Sequence, residues 1–578
     1  MKNLYQKKIK KRTIILTFFL ALWLCVLISR LIQFQVINYP RFRKEVIEQN
    51  QNKKIINPKR GTIYDRSGII LAQSLPVQSI FYSPVDDQPM DIQLEKINKL
   101  RQILHFSNKH AQTIKTRIEK NDHFIWIKRK IDLATAEKVK NLHLNGVQFI
   151  EENKRFYPQQ KLAAHIIGRV SIDEEGQSGI EYKYNSTLQG KKGQGIVLRD
   201  AKRRGYRFQT LKEPQPGMDL VLTIDETIQY IAEEELQKAI HRTKASWGTV
   251  VISQPFSGEI LAMANYPIFS HDSPRLDRNG AIHHTYAPGS TFKIITASAA
   301  IESGRVNFKD QYDCSMGFIS IAGQRIRDHK KYETLSFPEV IIHSSNVGTI
   351  QVGQQIGEEN LYKTITGFGF GQRTGIDLPA EEKGIFRSIN DWTKISIASL
   401  SIGYEISVTA IQMLQAVNVI ANKGVITRPK IVKKILDPSI EAKKSPLQFK
   451  RVISEETATR LTSIFREVTK TGTGKEAQVK GYDVAGKTGT AQKFDPSTGH
   501  YSSRAHTASF AGFAPAEKPV ISMIIVIDDP QGQYYGGQVA APVFREIAAQ
   551  VLRYLHIPPQ KSLSEHIITA KYWRQDKK

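Results

Sequence analysis

The sequence predicts a multi-domain α/β chain tethered by one N-terminal transmembrane helix. Three observations carry this. At 578 residues the chain exceeds what a single hydrophobic core sustains, so two or more domains are expected. A long uncharged apolar run follows a basic N-terminus. In the second half, early and late strand patterns enclose a helical, alanine-rich middle, which predicts one central antiparallel sheet flanked by helices.

Residues 1–12 form a basic tail with Lys2, Lys7, Lys8, Lys10, Lys11 and Arg12. Residues 13–37 read as the anchor. Thr13 to Ser29 has no charge, and the apolar pattern continues to Ile37 if Arg30 extends its charged end to the interface. Crossing a bilayer takes roughly 17–25 apolar residues. The basic cluster is expected to stay cytoplasmic, which puts all that follows on the extracytoplasmic (periplasmic) side of the cytoplasmic membrane. A cleaved signal peptide is the competing reading, but no small-x-small site follows the run. Lys plus Arg outnumber Asp plus Glu by 82 to 55. That surplus suits an anionic lipid or polymer surface, and the expected compartment excludes a nucleic-acid role. The two cysteines, Cys25 and Cys314, have no CxxC partner or histidine pair, so neither a disulfide nor a metal site is predicted. No cofactor loop is evident.

Residues 38–216 are read as an elongated, mixed α/β pedestal without chemistry of its own. Within it, Asp65-Arg66-Ser67-Gly68 lies between β-type runs and predicts a tight turn joining two strands. Arg60 and Asp65 there are either exposed charges on a hairpin or residues with a special role. Residues 90–145 are mostly helical in pattern. Residues 217–556 form the second module. It opens with a strand at Leu220 to Ile224, then a helix capped by Asp225, then a hairpin over Thr249 to Ala264. Strands return near Val484–Gln492, Thr507–Phe513 and Val520–Ile527, and a helix over Ala541–Tyr554 closes the module. Residues 557–578 are a basic tail.

Three short motifs in this module form a chemical set. Pro288-Gly289-Ser290-Thr291-Phe292-Lys293 opens a helix that ends at Gly304. Ser290 then sits in the first turn, with Lys293 three residues on and on the same face. A hydroxyl beside an amine is a nucleophile and base pair if burial near another cation keeps that amine neutral. Alone, Ser-x-x-Lys describes a capping serine with a surface lysine in many proteins. The second motif, His343-Ser344-Ser345-Asn346, offers a hydroxyl and a carboxamide between two helices. The third, Gly486-Lys487-Thr488-Gly489-Thr490, puts a cation, hydroxyls and a glycine that admits close backbone approach on a strand. A phosphate-binding loop is the competing reading of Gly486-Lys487-Thr488, set aside on the place of its first glycine.

Ser-x-x-Lys, Ser-x-Asn and Lys-Thr-Gly in that order form the active-site set of penicillin-binding proteins and class A β-lactamases. The chain resembles a class B penicillin-binding protein, specifically the septal, FtsI-like peptidoglycan transpeptidase of cell division. The likeness extends over Arg60 to Gly68, Gly179-Ile180-Glu181, Gly367 to Gly371, Ser401 to Gln412 and Asp529 to Phe544. Ser-Ser-Asn and Lys-Thr-Gly-Thr favour the division type over the elongation type.

The resemblance implies that the pedestal is a dimerisation-type domain and that 217–556 is the transpeptidase domain. It implies Ser290, Lys293, Ser344, Asn346 and Lys487 as catalytic residues and Thr488, Gly489 and Thr490 as substrate-binding residues. Peptidoglycan stem peptides would be the substrates, β-lactams the inhibitors, and a membrane glycosyltransferase with other division proteins the partners. An elongation-type transpeptidase, a serine β-lactamase or β-lactam sensor, and a non-catalytic scaffold are the competing functions.

Overall fold

The computed structural model describes residues 2–42, 51–84, 88–120, 122, 124–199, 205–269, 278–436, 450–495 and 499–559, so most of the tail at 557–578 lies outside the described residues. The chain divides into two compact units, one from residues 1–59 and 190–217, the other from 60–189 and 218–578.

In the first unit the helix Lys2–Ile32 continues as a π-helical turn, Gln33–Ile37. Among the described residues, Asn3–Ile37 is the one helix long and apolar enough to cross a membrane. Its Ile, Leu, Phe and Trp side chains are exposed from Ile14 to Ile37, which water disfavours and hydrocarbon does not. Strands Gln51–Ile56, Gly193–Arg199 and Gly205–Lys212 form an antiparallel sheet of three.

The second unit holds two large sheets. The first runs Val432–Leu436, Asp219–Leu222, Ile63–Tyr64, Ile70–Tyr82 and Ile125–Ile131, with Val147–Phe156 also paired to Ile70–Tyr82. It takes strands from both sides of residue 217: Ile63–Tyr64 lies parallel to Asp219–Leu222. The turn expected at Asp65 to Gly68 is present. The Asp65 carboxylate accepts the N–H groups of Ser67 and Ile69, each at 2.8 Å, and Gly68 takes φ +99°. Arg60 and Asp65 are buried although the tip, Ser67 to Ile69, is exposed, which removes the reading of these two as exposed charges. Arg60 and Asp65 are each 1% exposed. Arg60 Nε and Arg155 Nε donate to the two oxygens of Glu181, both at 2.6 Å. The guanidinium of Arg60 also reaches the carbonyls of Glu174 and Glu181. A carboxylate this dry is tolerated because two cations and their hydrogen bonds surround it.

The second sheet has the order Glu259–Tyr266, Trp247–Gln254, Ile521–Asp528, His500–Ala514 and Ala485–Asp495, all antiparallel. Its period-two alternation feeds two cores. Val250 and Ile252 pack with Glu226–Thr243 and Ala541–Tyr554, whereas Val251 faces the core shared with Lys293–Glu302, Ala410–Ala421 and Glu455–Lys470. Asp225 caps Glu226–Thr243 through the Ile228 N–H at 3.2 Å. Ala410–Ala421 is buried at every position, and its Gln412, Gln415 and Asn418 find partners in the Gln372 and Thr427 carbonyls and Ser253 Oγ. This places the edge strand Ala485–Asp495 beside the helical layer.

Candidate active site

Gly289 turns the chain into the site. Its φ is +52°, and a Cβ there would stand 2.9 Å from the Thr490 carbonyl oxygen. Only glycine permits both. Ser290 follows in a 3₁₀ turn, Gly289–Phe292, which leads into the α-helix Lys293–Glu302. Ser290 thus lies in a 3₁₀ turn and not in the first turn of the α-helix that the sequence predicts, with Lys293 opening that helix three residues on. Ser290 is half-buried and Lys293 fully buried.

Lys293 Nζ donates to the Ser344 carbonyl at 2.8 Å, Asn346 Oδ1 at 2.9 Å, and Ser344 Oγ and the Ser345 carbonyl at 3.3 Å. Among the described residues it has no hydrogen bond to Ser290 Oγ, a contact that often forms only in the loaded complex. Burial pulls Lys293 down from 10.5 to about 7, and Asp328 opposes the fall. The amine is therefore substantially neutral at neutral pH.

His343, Ser344 and Ser345 join the helices Phe337–Ile342 and Asn346–Ile356. Ser344 adopts φ +60°, a left-handed conformation that non-glycine residues hold only when their surroundings impose it. Its Oγ accepts from Lys487 Nζ at 2.9 Å as well as from Lys293. One hydroxyl thus bridges two buried amines. Burial lowers Lys487 well below its ordinary value, and the nearby Lys293 adds to the effect. Two ammonium groups across a single hydroxyl in a dry site disfavour each other.

Lys487 to Thr490 lie on the edge strand. Thr488 Oγ1 is 2.7 Å from Thr473 Oγ1, and Thr490 Oγ1 accepts the Gly536 N–H at 2.9 Å. A Cβ at Gly489 would meet Ser509 Oγ at 2.4 Å and Thr291 Cγ2 at 2.8 Å. The residues flanking Ser290 therefore pack on Gly489 and Thr490, while Lys293 meets Ser344 and Asn346 from the helical layer and Ser344 also meets Lys487 on the edge strand. Spacing does not dismiss the phosphate-loop reading, because Gly481 stands five residues before Gly486. The fold dismisses it: Lys487 sits within a strand, not at a helix N-terminus where such a loop would end.

Sequence reasoning missed Asp328, Thr473 and Tyr404, whose hydroxyl accepts the Gln492 N–H at 3.2 Å. Thr473, between Gly472 and Gly474, carried a faint signal as a glycine-flanked loop residue. Tyr404 lies within the Ser401 to Gln412 stretch of the family likeness but is not singled out by it, and Asp328 carried no signal. His283 and His284 pack outside this cluster, against Arg278 and Trp247 respectively.

Residues 248–549 match the family profile of the penicillin binding protein transpeptidase domain, and residues 55–222 match the penicillin-binding protein dimerisation domain. The chain is 34% identical to the probable peptidoglycan D,D-transpeptidase PenA of Neisseria gonorrhoeae, over 94% of this chain and 93% of that protein. It is 32% identical to the peptidoglycan D,D-transpeptidase FtsI of Escherichia coli, over 93% and 91% of the two chains. Among solved structures, penicillin binding protein 3 of Mycobacterium tuberculosis complexed with aztreonam superposes with a TM-score of 0.67. That match has 27% identity and spans 88% of this chain and 99% of the other.

Proposed function

The chain belongs to the class B penicillin-binding proteins and is a serine-type peptidoglycan D,D-transpeptidase, and from that premise we propose that it cross-links stem peptides at the division septum through an acyl-enzyme on Ser290. The observation that carries the mechanism is the Ser344 hydroxyl shared by two buried amines, Lys293 and Lys487.

Neutral Lys293 takes the proton of Ser290 as its Oγ attacks the carbonyl of the penultimate D-Ala. The backbone N–H groups of Ser290 and Thr490 hold the oxyanion, and losing one such donor typically costs about 10²–10³ in rate. Ser344 passes a proton from Lys293 to the departing D-Ala amine, with Lys487 orienting its hydroxyl. Thr488 and Lys487 receive the donor's terminal carboxylate, Gly489 leaves room for its backbone, and Asn346 binds the amide of the donor side chain. An amine of a neighbouring stem peptide then takes the acyl group and loses its proton, and Ser290 is regenerated. β-Lactams acylate Ser290 as mimics of the donor.

Residues 13–37, within the helix Asn3–Ile37 that is long and apolar enough to span, form the anchor; the basic tail at 1–12 stays cytoplasmic and the transpeptidase domain faces the wall. Residues 38–216 serve as a pedestal that docks a membrane glycosyltransferase and other division proteins. Similarity to FtsI and the Ser-Ser-Asn and Lys-Thr-Gly-Thr motifs support the septal role.

Ser290→Ala should abolish covalent labelling by a fluorescent penicillin while thermal unfolding stays unchanged. Labelling that persists refutes the nucleophile. A fluorescent fusion should gather at midcell, whereas distribution along the side wall would give the elongation role.

A further inference from the structure

One rim of the cleft carries cations left without counter-charges. From Arg325 to Tyr332 the exposed Arg325, Arg327, Lys330 and Lys331 stand against a single acid, Asp328. That carboxylate is already engaged, by the Ser345 hydroxyl and by the N–H groups of Asn346 and Val347. Lys475, also exposed, opens the short turn Lys475–Ala477. Among the described residues, Lys330, Lys331 and Lys475 have no ion-pair partner.

Tyr332 gathers these charges beside the loop that carries Ser344. Its hydroxyl donates to the His343 carbonyl at 3.0 Å and lies 3.1 Å from His329 Nε2. The one hydroxyl proton is used on the carbonyl, so His329 Nε2 is the donor in the second bond. The Tyr332 ring stacks on the His343 imidazole with centroids 5.7 Å apart, and Lys330 Nζ stands 5.0 Å from its centroid. Burial and then Lys330 lower His343 below its ordinary value; Glu339 opposes this and Lys475 adds to it. Burial likewise lowers His329, Asp328 opposes, and Lys293, Lys330 and Lys487 add to the fall. Both imidazoles thus lie in a positive field that runs from the two buried lysines out to the exposed rim. A cleft lined by one sign of charge concentrates ions of the other sign.

The rim lies on the side where the donor peptide ends. Thr473, whose hydroxyl is 2.7 Å from that of Thr488, stands two residues before Lys475, and His343 immediately precedes Ser344. D-Ala departs on this side in the mechanism above. The incoming amine attacks the same acyl carbon and fills the place that the departing amine leaves, so the acceptor strand enters along this rim. Its nitrogen forms the new amide bond, the ester to Ser290 Oγ breaks, and the amine proton returns to that oxygen. An acceptor stem peptide has a terminal carboxylate of its own to offer the rim.

We propose that Lys330, Lys475 and the His329–Tyr332–His343 group form an acceptor subsite, which binds a carboxylate of the incoming stem peptide and so selects acidic acceptor strands over amidated ones. The inference rests on the acyl-enzyme reading above and assigns the rim to the second half of that reaction.

The test measures cross-linking by the full-length protein in detergent, with a donor peptide ending in D-Ala-D-Ala. The acceptor is a peptide with a side-chain amine, its carboxyl groups either free or converted to carboxamides. Wild type is compared with the double variant Lys330→Gln, Lys475→Gln, and labelling by fluorescent penicillin follows acylation separately. Wild type should show a KM for the free-carboxyl acceptor about five-fold or more below that for the amidated one, the scale that exposed charge pairs reach. The double variant should raise the first KM about five-fold and leave the second in place, with acylation by penicillin within about two-fold of wild type. Raising salt from about 0.05 M to about 0.5 M should narrow the wild-type preference in the same direction, because it screens exposed charges. Equal KM values for the two acceptors in wild type overturn the proposal. So does a variant that raises both together, as a merely structural role would, or one that leaves both unchanged, as a rim serving an anionic wall polymer would. If cross-linking is too slow to follow, fluorescence anisotropy of the two labelled acceptors on Ser290→Ala protein, with and without the two lysines, makes the same comparison through Kd. Absence of penicillin labelling in wild type would instead sink the acyl-enzyme reading itself.

Discussion

The neutral lysine gives the sharpest quantitative test. Lys293 is fully buried, and burial brings it from 10.5 to about 7. Only the neutral amine can accept the Ser290 proton, so acylation should follow the deprotonated fraction. That fraction is about one-tenth at pH 6, about one-half at pH 7 and about nine-tenths at pH 8. The acylation rate should therefore rise about ten-fold from pH 6 to pH 8 and flatten above. A lysine at its ordinary value would give a rise of about a hundred-fold over the same interval, with no plateau before pH 10. The assay is stopped-flow acylation by a fluorescent penicillin under pseudo-first-order conditions. A log-linear rise through pH 9, or a flat profile from pH 6 to 8, would refute the reasoning.

The same burial predicts a stability effect. Folded Lys293 binds fewer protons than unfolded Lys293 between about pH 7 and 10.5, so stability rises with pH across that window, by up to about 1.4 kcal/mol per unit. In Lys293→Met the part of this slope due to Lys293 is lost while that of the buried Lys487 remains, so urea unfolding at pH 7.5 and 8.5 should show the variant losing ground to wild type as pH rises; parallel behaviour would contradict it. Glu181→Gln leaves Arg60 and Arg155 buried against a neutral amide, at a cost of about 3–5 kcal/mol. Equilibrium denaturation measures this, and a loss under about 1 kcal/mol would mean the cluster is better hydrated than its burial indicates. Gly289→Ala places a Cβ 2.9 Å from the Thr490 carbonyl at positive φ, so penicillin acylation should slow at least about ten-fold; an unaltered rate would show that the turn can move without disturbing Ser290.

What could be read from sequence was local. The Asp225 cap, the Asp65 turn, the Thr249 to Ala264 hairpin and the closing helix Ala541–Tyr554 each have signals within a few residues, and turn and cap chemistry acts over that range. The three motifs were legible for the same reason, since each is a short string. Long-range partners were not. Nothing near Arg60 announces that Glu181 and Arg155 will surround it, and nothing near Asp328 points to Asn346. The 3₁₀ turn at Ser290 was also hidden, because the tight contact of Gly289 with the Thr490 strand imposes it, not any local preference. Nor does a strand pattern tell which sheet it joins: Asp219–Leu222 pairs with Ile63–Tyr64 from the preceding segment.

The most direct measurement of the central claim uses the natural chemistry in place of a drug. The full-length protein is incubated with a peptide ending in D-Ala-D-Ala and without an amine acceptor, quenched in acid, and mapped by peptide mass spectrometry while free D-Ala is quantified. One acyl adduct on the peptide containing Ser290, formed together with one equivalent of released D-Ala, is the predicted result. Release of D-Ala with Ser290 unmodified, or an adduct on any other side chain, would contradict it.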